Sequence, residues 1–221
     1  MPRIIILLLI ILVLGCNTTS HIEDTISTNL LTNHKYKNLI IEIITIKDFK
    51  ITPATDSLEF IQEKLKKHIH KDTITFQTNE LNIINTTFAW NVDSLIYFKN
   101  KHKLYVSKSD TIVIHILYLP GFSSRQASVR GEYFDDNAIV IYRNNFGQDH
   151  ERAVLLHELF HNIGLVDNGV IPRSRHVETD EKHLKHCSNE DCVMYWSAPT
   201  VPNPDICRDC KADIVFAGGK R

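Results

Sequence analysis

One short segment, LLHELFHNIGLVDNG over residues 155–169, constrains this chain more than any other. His157 and His161 stand four residues apart, and on an α-helix that spacing places both imidazoles on one face. Glu158 directly follows the first histidine, as on helices where two histidines bind zinc and the glutamate is a general base. The helix is otherwise largely apolar, so we expect it to pack in the core and to present its histidines rigidly.

The predicted boundaries of this helix follow from its flanking residues. It is expected to begin near Asp149, whose carboxylate can cap the first turn, and to end at Gly164, which tolerates the left-handed conformation common at helix ends. The apolar run Ala138–Tyr142 just before it predicts a strand.

Further along the chain, strands and helices alternate. NLIIEIITI (38–46), TITFQT (73–78) and TIVIHILYLPG (111–121) favour strands. DSLEFIQEKLKKHI (56–69), with Asp56 as its cap, and VDSLIYFKNKH (92–102) favour helices. The pattern predicts a mixed α/β layer.

Length and charge limit the possible classes of protein. A chain of 221 residues that is 43% hydrophobic can bury one sizeable core, so we expect one catalytic domain and a monomer. With 25 basic and 26 acidic residues it has no overall positive charge with which to attract nucleic acid, and we expect no nucleic-acid partner.

The N-terminus predicts export. Residues 1–16, MPRIIILLLIILVLGC, have a short basic start and an apolar run too short to span a bilayer comfortably. LVLGC resembles a bacterial lipobox, which implies cleavage before Cys16 and acylation of that cysteine. Residues 17–35 are predicted to be a flexible polar spacer. The protein is therefore expected to be lipid-anchored to a bacterial membrane, facing the periplasm or the cell surface.

Two groups of motifs carry a resemblance to a known family. HELFHNIG (157–164) resembles the start of the metzincin zinc-peptidase signature H-E-x-x-H-x-x-G-x-x-H. HCSNEDCVM (186–194) and CRDC (207–210) are similar to the archaemetzincin arrangement, where a third histidine is followed by Cys-x4-Cys-x-Met and later by Cys-x2-Cys.

The resemblance implies an α/β (α+β) fold: a metzincin-like mixed twisted sheet with an active-site helix and a small cysteine-stapled C-terminal subdomain. Residues 36–221 are then the zinc metallopeptidase domain, divided into an N-terminal subdomain over 36–164 and a C-terminal subdomain over 165–221. The strand before the histidine helix could bind substrate as an added β-strand, as the upper edge strand of metzincins does.

The third metal ligand is left open by the sequence. In archaemetzincins a histidine stands three residues after the glycine, but here that position is Asp167, and His186 precedes the cysteine after an insertion over 168–185. We favour His186 beside His157 and His161, because neutral imidazole is the usual zinc partner and because it begins the downstream motif. Asp167 is the alternative, as in metzincins that use aspartate. Three further residues also stay open: His176, His183 and Glu181, the last at the gluzincin spacing.

The cysteines have two predicted roles. Cys187, Cys192, Cys207 and Cys210 have spacings that suit tetrahedral thiolate coordination, and the resemblance implies a second, structural zinc. An oxidising compartment favours two disulfides instead. Either would staple the C-terminal subdomain.

Met194 is expected to form the methionine turn under the metal, and no catalytic role is assigned to Tyr195. The 12-residue loop between Met194 and Cys207 is shorter than in archaemetzincins.

The predicted function is that of a zinc metalloendopeptidase that hydrolyses peptide bonds in a protein or peptide substrate with a zinc-activated water and Glu158 as general base. One alternative is a non-catalytic, zinc-stabilised lipoprotein binding module. A second alternative is a metal-capture loop for transport, formed by His176, Glu178, His183 and His186.

Overall fold

The computed structural model describes residues 25–49, 52–83, 88–142, 148–197 and 204–221. The predicted signal segment, Cys16 and residues 17–24 of the predicted spacer lie outside this part of the chain, and so does the side chain of Asp149.

The described part of the chain contains five α-helices. In chain order they are α1 (Ile26–Leu31), α2 (Thr55–His68), α3 (Val92–His102), α4 (Gln148–Ile163) and α5 (Arg208–Phe216). In the described ranges, none of them has both the length and the hydropathy that a bilayer-spanning segment needs.

The strands build one main sheet. They are β1 (Asn38–Ile46), β2 (Thr73–Leu81), β3 (Ala89–Trp90), β4 (Thr111–Leu119), β5 (Phe122–Ser123), β6 (Gly131–Asp135) and β7 (Ala138–Tyr142). The main sheet has the order β2-β1-β4-β7-β6, in which β6 alone runs antiparallel to its neighbour. Strands β3 and β5 form a separate short pair. The predicted mixed α/β sheet is confirmed.

The sheet is covered on both faces, because its central strands are apolar on both sides. Along β1, Leu39, Ile41 and Ile43 pack against the helices of one face, α1, α2, α4 and α5. Ile44 and Ile46 pack on the opposite face, where α3 and Trp90 complete a second cluster. The histidine helix α4 therefore lies directly on the sheet.

Helix α1 corrects the predicted spacer. Leu30 and Leu31 are fully buried, and Thr25 caps the helix by accepting a hydrogen bond from the amide of Thr28. The Lys71 ammonium group donates to the carbonyl groups of Asn29, Thr32 and Tyr36 around the C-terminal end of α1. The prediction that residues up to 35 form an unpacked spacer is wrong from Thr25 onward.

Two local predictions also need correction. Asp56 does not cap α2: the N-cap is Ala54, and the Asp56 carboxylate lies 2.7 Å from the Arg152 guanidinium. Strand β7, which the sequence suggested as the substrate-binding edge strand, is not at the edge, because the segment before it forms β6 and pairs with β7 on its outer side.

The chain after Gly164 has little regular structure before α5, yet it contributes to the same core. Cys187, Val193, Met194 and Ile214 are fully buried in the cluster that contains the apolar face of α4. Residues on either side of residue 164 thus share one core.

Candidate metal centre and active site

Helix α4 positions three of the predicted site residues. His157, Glu158 and His161 are all buried, although each is polar. The helix stops at Gly164, whose backbone has a φ of +105°, and a Cβ there would lie 2.2 Å from the Ser27 hydroxyl oxygen. Glycine is therefore required both by the turn and by the contact with α1.

A backbone carbonyl orients the first histidine. The Nδ1 atom of His157 lies 2.7 Å from the carbonyl oxygen of Val193, so Nδ1 carries the proton and donates it. The lone pair is then on Nε2, which lies 3.0 Å from Nε2 of His161. A backbone or carboxylate acceptor behind a histidine is the usual way to hold a metal ligand in one tautomer and orientation.

The third histidine comes from the segment after the insertion. One ligand atom from each of His157, His161 and His186 lies within 4.8 Å of the other two. Nδ1 of His186 faces the carbonyl oxygens of His183 and Leu184 at 3.1 and 3.0 Å, which again leaves Nε2 as the free lone pair.

The insertion reaches this arrangement because its two ends meet. The Lys185 ammonium group donates to the side-chain oxygen of Asn168 at 3.0 Å, and the Asn168 amide donates to the carbonyl of His161 at 2.7 Å. The amide of Glu178 also donates to the carbonyl of His186 at 2.8 Å. A long insertion can therefore separate Gly164 from His186 in sequence without separating them in space.

The other candidate ligands lie elsewhere. Asp167 and Glu181 are exposed. His176 is buried against Asp213, with 2.8 Å between its Nε2 and a carboxylate oxygen. The His183 ring stacks on Trp196 at a centroid distance of 4.3 Å. In the described part of the chain, of these candidates and those of the proposed metal-capture loop, only His186 joins the histidine cluster.

The electrostatics of the cluster suit a cation. Burial lowers the pKa of His157 to about 4, and burial together with the neighbouring imidazoles lowers the pKa of His161. The histidines are therefore neutral near pH 7 and offer lone pairs. Burial raises the pKa of Glu158 to about 8, although the backbone N–H of Tyr133 donates to its carboxylate and opposes this shift.

The geometry can be tested against zinc. Zinc–nitrogen bonds of about 2.1 Å in a tetrahedron place the nitrogens about 3.4 Å apart, and the measured 3.0 Å is within a few tenths of an ångström of that separation. Three neutral imidazoles on one side leave a fourth position for water or substrate, as catalytic zinc sites do. The residues fit the metal.

The four cysteines form a second cluster. Their sulfur atoms all lie within 4.8 Å of one another, and the Cys187–Cys207 and Cys192–Cys210 pairs are both 3.7 Å apart. A disulfide needs a separation of about 2.05 Å. Zinc–sulfur bonds of about 2.3 Å in a tetrahedron place sulfurs about 3.8 Å apart. The spacing is that of four thiolates around one ion rather than of two disulfides.

The two clusters share one loop. His186 immediately precedes Cys187, and Val193, whose carbonyl holds His157, immediately follows Cys192. The Cys187 amide donates to the carbonyl of Met194 at 2.8 Å and closes this loop. Met194 is itself fully buried beside α4.

Several contributing groups could not be identified from the sequence. The Val193 carbonyl and the Tyr133 N–H belong to the backbone and leave no signal in the residue type. Gly131 allows β6 to approach Glu158 so closely that a Cβ there would lie 2.8 Å from the Glu158 Cγ. In the sequence, the glycine itself is the one feature that indicates this close approach of two backbone segments.

Comparison with known proteins shows which solved structures this chain resembles in fold. No protein-family model and no curated protein matches the chain. Archaemetzincin from Methanopyrus kandleri is similar in structure, with a TM-score of 0.50 at 12% identity over 80% of this chain and 94% of that one. Metalloproteinase-II from Bacteroides fragilis also has a TM-score of 0.50, at 13% identity over 87% of this chain and 60% of that one. The chain has an archaemetzincin-like fold.

Proposed function

We propose that this chain, which has an archaemetzincin-like fold, is a zinc-dependent metallopeptidase that uses Glu158 as its general base. The observation that carries the proposal is the convergence of three neutral histidines, the buried His157 and His161 and the partly buried His186, beside a glutamate buried on the helix of the first two. A purely structural zinc site has no use for a carboxylate at that place and takes four protein ligands.

Zinc held by the three histidines would lower the pKa of a bound water and polarise a substrate carbonyl. Glu158 removes the proton of the attacking water and then delivers it to the leaving amine. Burial raises the pKa of Glu158 above that of a solvated carboxylate and makes it a stronger base, and a cation at the adjacent histidines would lower that pKa toward neutral pH, where the group can both accept and release a proton. The Tyr133 N–H holds the carboxylate at the edge of the sheet.

The edge strand β6 supports a peptide as the substrate. It is the outermost strand of the sheet, and it passes directly over Glu158 at Gly131. An extended peptide that pairs with an edge strand has its backbone fixed along a line, which suits a site for peptide-bond cleavage. This strand takes the role that the sequence had suggested for β7.

We further propose that the enzyme acts outside the cytoplasm, on protein or peptide substrates at a bacterial membrane. The support for this is the apolar N-terminal run and the lipobox-like LVLGC ending at Cys16.

The proposal is tested by digestion of a mixed peptide library, read by mass spectrometry. A chain that starts at Asn17 keeps every described element. The zinc-loaded chain should cleave, Glu158→Ala should reduce the rate by a factor of about 100 to 10,000, and Glu63→Ala, on the exposed side of α2, should cleave normally. Zinc content is measured for each variant, so that loss of the ion is distinguished from loss of the base.

A binding module is the second candidate function, and the closed, four-cysteine cluster favours it. It would replace the peptidase if the wild-type chain binds zinc at the histidines but cleaves nothing in the library.

A further inference from the structure

Helix α5 has an unusual outer face. Residues at helical spacing along it form one stripe that is basic at one end and apolar at the other: Arg208, Lys211, Ala212, Val215 and Phe216. Phe216 is 60% exposed, although it is a large aromatic residue. With Arg173 and Arg221 these residues line an open groove of about 690 Å³, which we call the α5 groove.

The positive charge of the α5 groove is poorly compensated. The Arg173 guanidinium lies over the Phe216 ring at 3.9 Å from its centroid and, in the part of the chain that the structure describes, has no carboxylate partner. Arg208 is almost fully exposed and approaches only Asp209, at 4.0 Å. Lys211 lies 3.7 Å from Asp205, which Lys64 neutralises more closely at 3.2 Å. The groove is thus locally cationic in a chain with a net charge of −1.

Neighbouring residues enlarge this basic surface. The Lys220 ammonium group donates to the carbonyl of Lys66 at 2.8 Å, which brings the segment after α5 against the end of α2. Lys66 and Lys67 are exposed there. An open cationic surface with an exposed aromatic ring in it is typical of proteins that rest on an anionic bilayer, where cations meet phosphate groups and the ring enters the interface.

The start of the described chain lies on the same side. A Cβ at Gly218 would be 2.9 Å from Cγ2 of Thr32, so the C-terminal end of α1 touches the segment that follows Phe216. Thr25 is about 10 Å from that point along a helix that rises 1.5 Å per residue. Residues 17–24 could add at most about 28 Å to the reach of the chain. A lipid on Cys16 would therefore keep the segment after Phe216 within roughly 40 Å of the membrane surface, a distance at which the groove can reach it.

We propose that the α5 groove is a docking surface for anionic phospholipid bilayers. Arg173, Arg208 and Lys211 contact headgroup phosphates, and Phe216 enters the interfacial region. The groove does not include the histidine cluster or Glu158, so the proposal stands or falls independently of peptidase activity.

Vesicle sedimentation tests the charge requirement with the chain that starts at Asn17, which has no acyl group. It should sediment with vesicles of phosphatidylcholine mixed with phosphatidylglycerol and not with phosphatidylcholine alone. Arg173→Gln combined with Arg208→Gln should weaken binding roughly 25-fold, at about fivefold for each cation. The matched control, Lys101→Gln with Lys108→Gln, removes two exposed cations in α3 and in the segment between α3 and β4, neither of which lines the groove, and should bind normally.

Three outcomes would overturn the proposal. Equal binding to both vesicle types would show that the charge is unimportant, and an equal loss in both double variants would show that only net charge matters. If vesicles are not bound but an acidic peptide is, the groove is a peptide site and the membrane assignment is wrong.

A fluorescence measurement tests the orientation. In Phe216→Trp, phospholipids brominated on their acyl chains should quench emission beyond the wild-type level set by Trp90 and Trp196. Tyr97→Trp, at an equally exposed site on α3, should show no added quenching. Equal quenching of the two added indoles would contradict docking through the α5 groove, whatever the sedimentation result.

Discussion

The histidine cluster and the cysteine cluster share one loop, residues 186–194, yet they differ in the number of ligands they offer. The histidines offer three candidate ligands, two of them from a helix packed on the main sheet, and Glu158, the proposed general base, stands beside them. The cysteines provide four ligands, none of which lies on the sheet, and no carboxylate belongs to their cluster. A metal ion with three protein ligands has a fourth position for a reacting molecule, whereas an ion with four protein ligands can only hold the structure together.

The fold thus places the candidate reactive site, the histidine cluster, beside a separate cluster of cysteines that supports it. The loop over residues 186–194 contributes His186 and the Val193 carbonyl to one cluster and Cys187 and Cys192 to the other. The cysteine cluster therefore fixes the loop that completes the histidine cluster. The predictions that follow test this dependence, beginning with the largest expected effect.

His161→Ala should abolish peptidase activity, because two imidazoles alone hold zinc weakly and leave it misplaced. The bound metal should fall by one equivalent per chain, and the cobalt-substituted protein should keep the thiolate charge-transfer absorption of the cysteine cluster. His34→Ala, at an exposed site near α1, is the control and should change neither quantity. Loss of the thiolate absorption in His161→Ala would show that dependence also runs from histidines to cysteines.

Cys210→Ser should affect both clusters. It removes a buried thiolate on α5, lowers the melting temperature and releases the metal of the cysteine cluster. Because the 186–194 loop is then less fixed, the affinity of the histidine cluster for zinc should fall by about 10- to 100-fold, the usual effect of losing support behind a ligand.

Cys210→His tests the same dependence of the histidine cluster on the cysteine cluster, because it restores a fourth ligand. Imidazole is also a zinc ligand, so this variant should recover metal at the cysteine cluster and most of the affinity at the histidine cluster. Unchanged zinc affinity of the histidines in Cys210→Ser would mean that the two clusters are independent.

Gly131→Ala should separate catalysis from metal binding. The new Cβ would lie 2.8 Å from both the Glu158 Cγ and the Val154 Cγ1, so the glutamate must move while the histidines need not. We expect kcat to fall by up to about 100-fold, as for a catalytic group displaced by about 1 Å, with zinc content unchanged. A parallel loss of zinc would show that β6 supports the metal ligands as well as the base.

Asp205→Asn tests whether the Asp205 carboxylate stabilises the segment that leads into the cysteine cluster. The test is the pH dependence of the free energy of unfolding. Burial alone would raise the pKa of Asp205, but hydrogen bonds from His68, the Ile206 amide and Lys64 outweigh it and hold the pKa well below its usual range. A carboxylate with a lowered folded-state pKa stabilises the fold above its unfolded pKa of about 3.9, and this contribution is lost as the pH falls.

We therefore expect the wild type to lose more stability than Asp205→Asn between pH 7 and pH 3 in urea titrations. At pH 7 the variant should be less stable by about 1.5–3 kcal/mol. Asp93→Asn, at an exposed site on α3, should follow the wild-type curve. Parallel curves for the wild type and Asp205→Asn would contradict the assigned role.

Much of the fold could be predicted from the sequence because strongly apolar segments are unambiguous. The predicted strands at 38–46 and 138–142 and the predicted helix at 92–102 have the observed bounds. Helix α4 begins one residue before its predicted start. These elements are buried on at least one face, and burial produces a regular pattern.

The missed elements are those whose order comes from tertiary contacts. Strand β6, in GEYFD, has one buried residue, Phe134, and depends on pairing with β7. Helix α1 has only six residues, which is too short for a helix to be stable alone, and it is held by Lys71 and by burial of its leucines. Asp56 is not the cap because α2 begins at Thr55, which places Asp56 in the first turn, where its carboxylate pairs with Arg152.

The third ligand was the point at which sequence spacing gave two answers, and Asp167→Asn is the smallest-effect prediction that separates them. Counting from Gly164 nominates Asp167, but its exposed carboxylate belongs to a turn with a φ of +63° and is not part of the histidine cluster. Zinc affinity and kcat/KM should therefore remain within about twofold of the wild type, because asparagine tolerates the same backbone conformation. His186→Asn, a change of ligand at the position that the structure places in the cluster, should by contrast lose the metal. If Asp167→Asn released zinc and His186→Asn did not, the histidine cluster would have only two histidine ligands, and its dependence on the 186–194 loop would have to be abandoned.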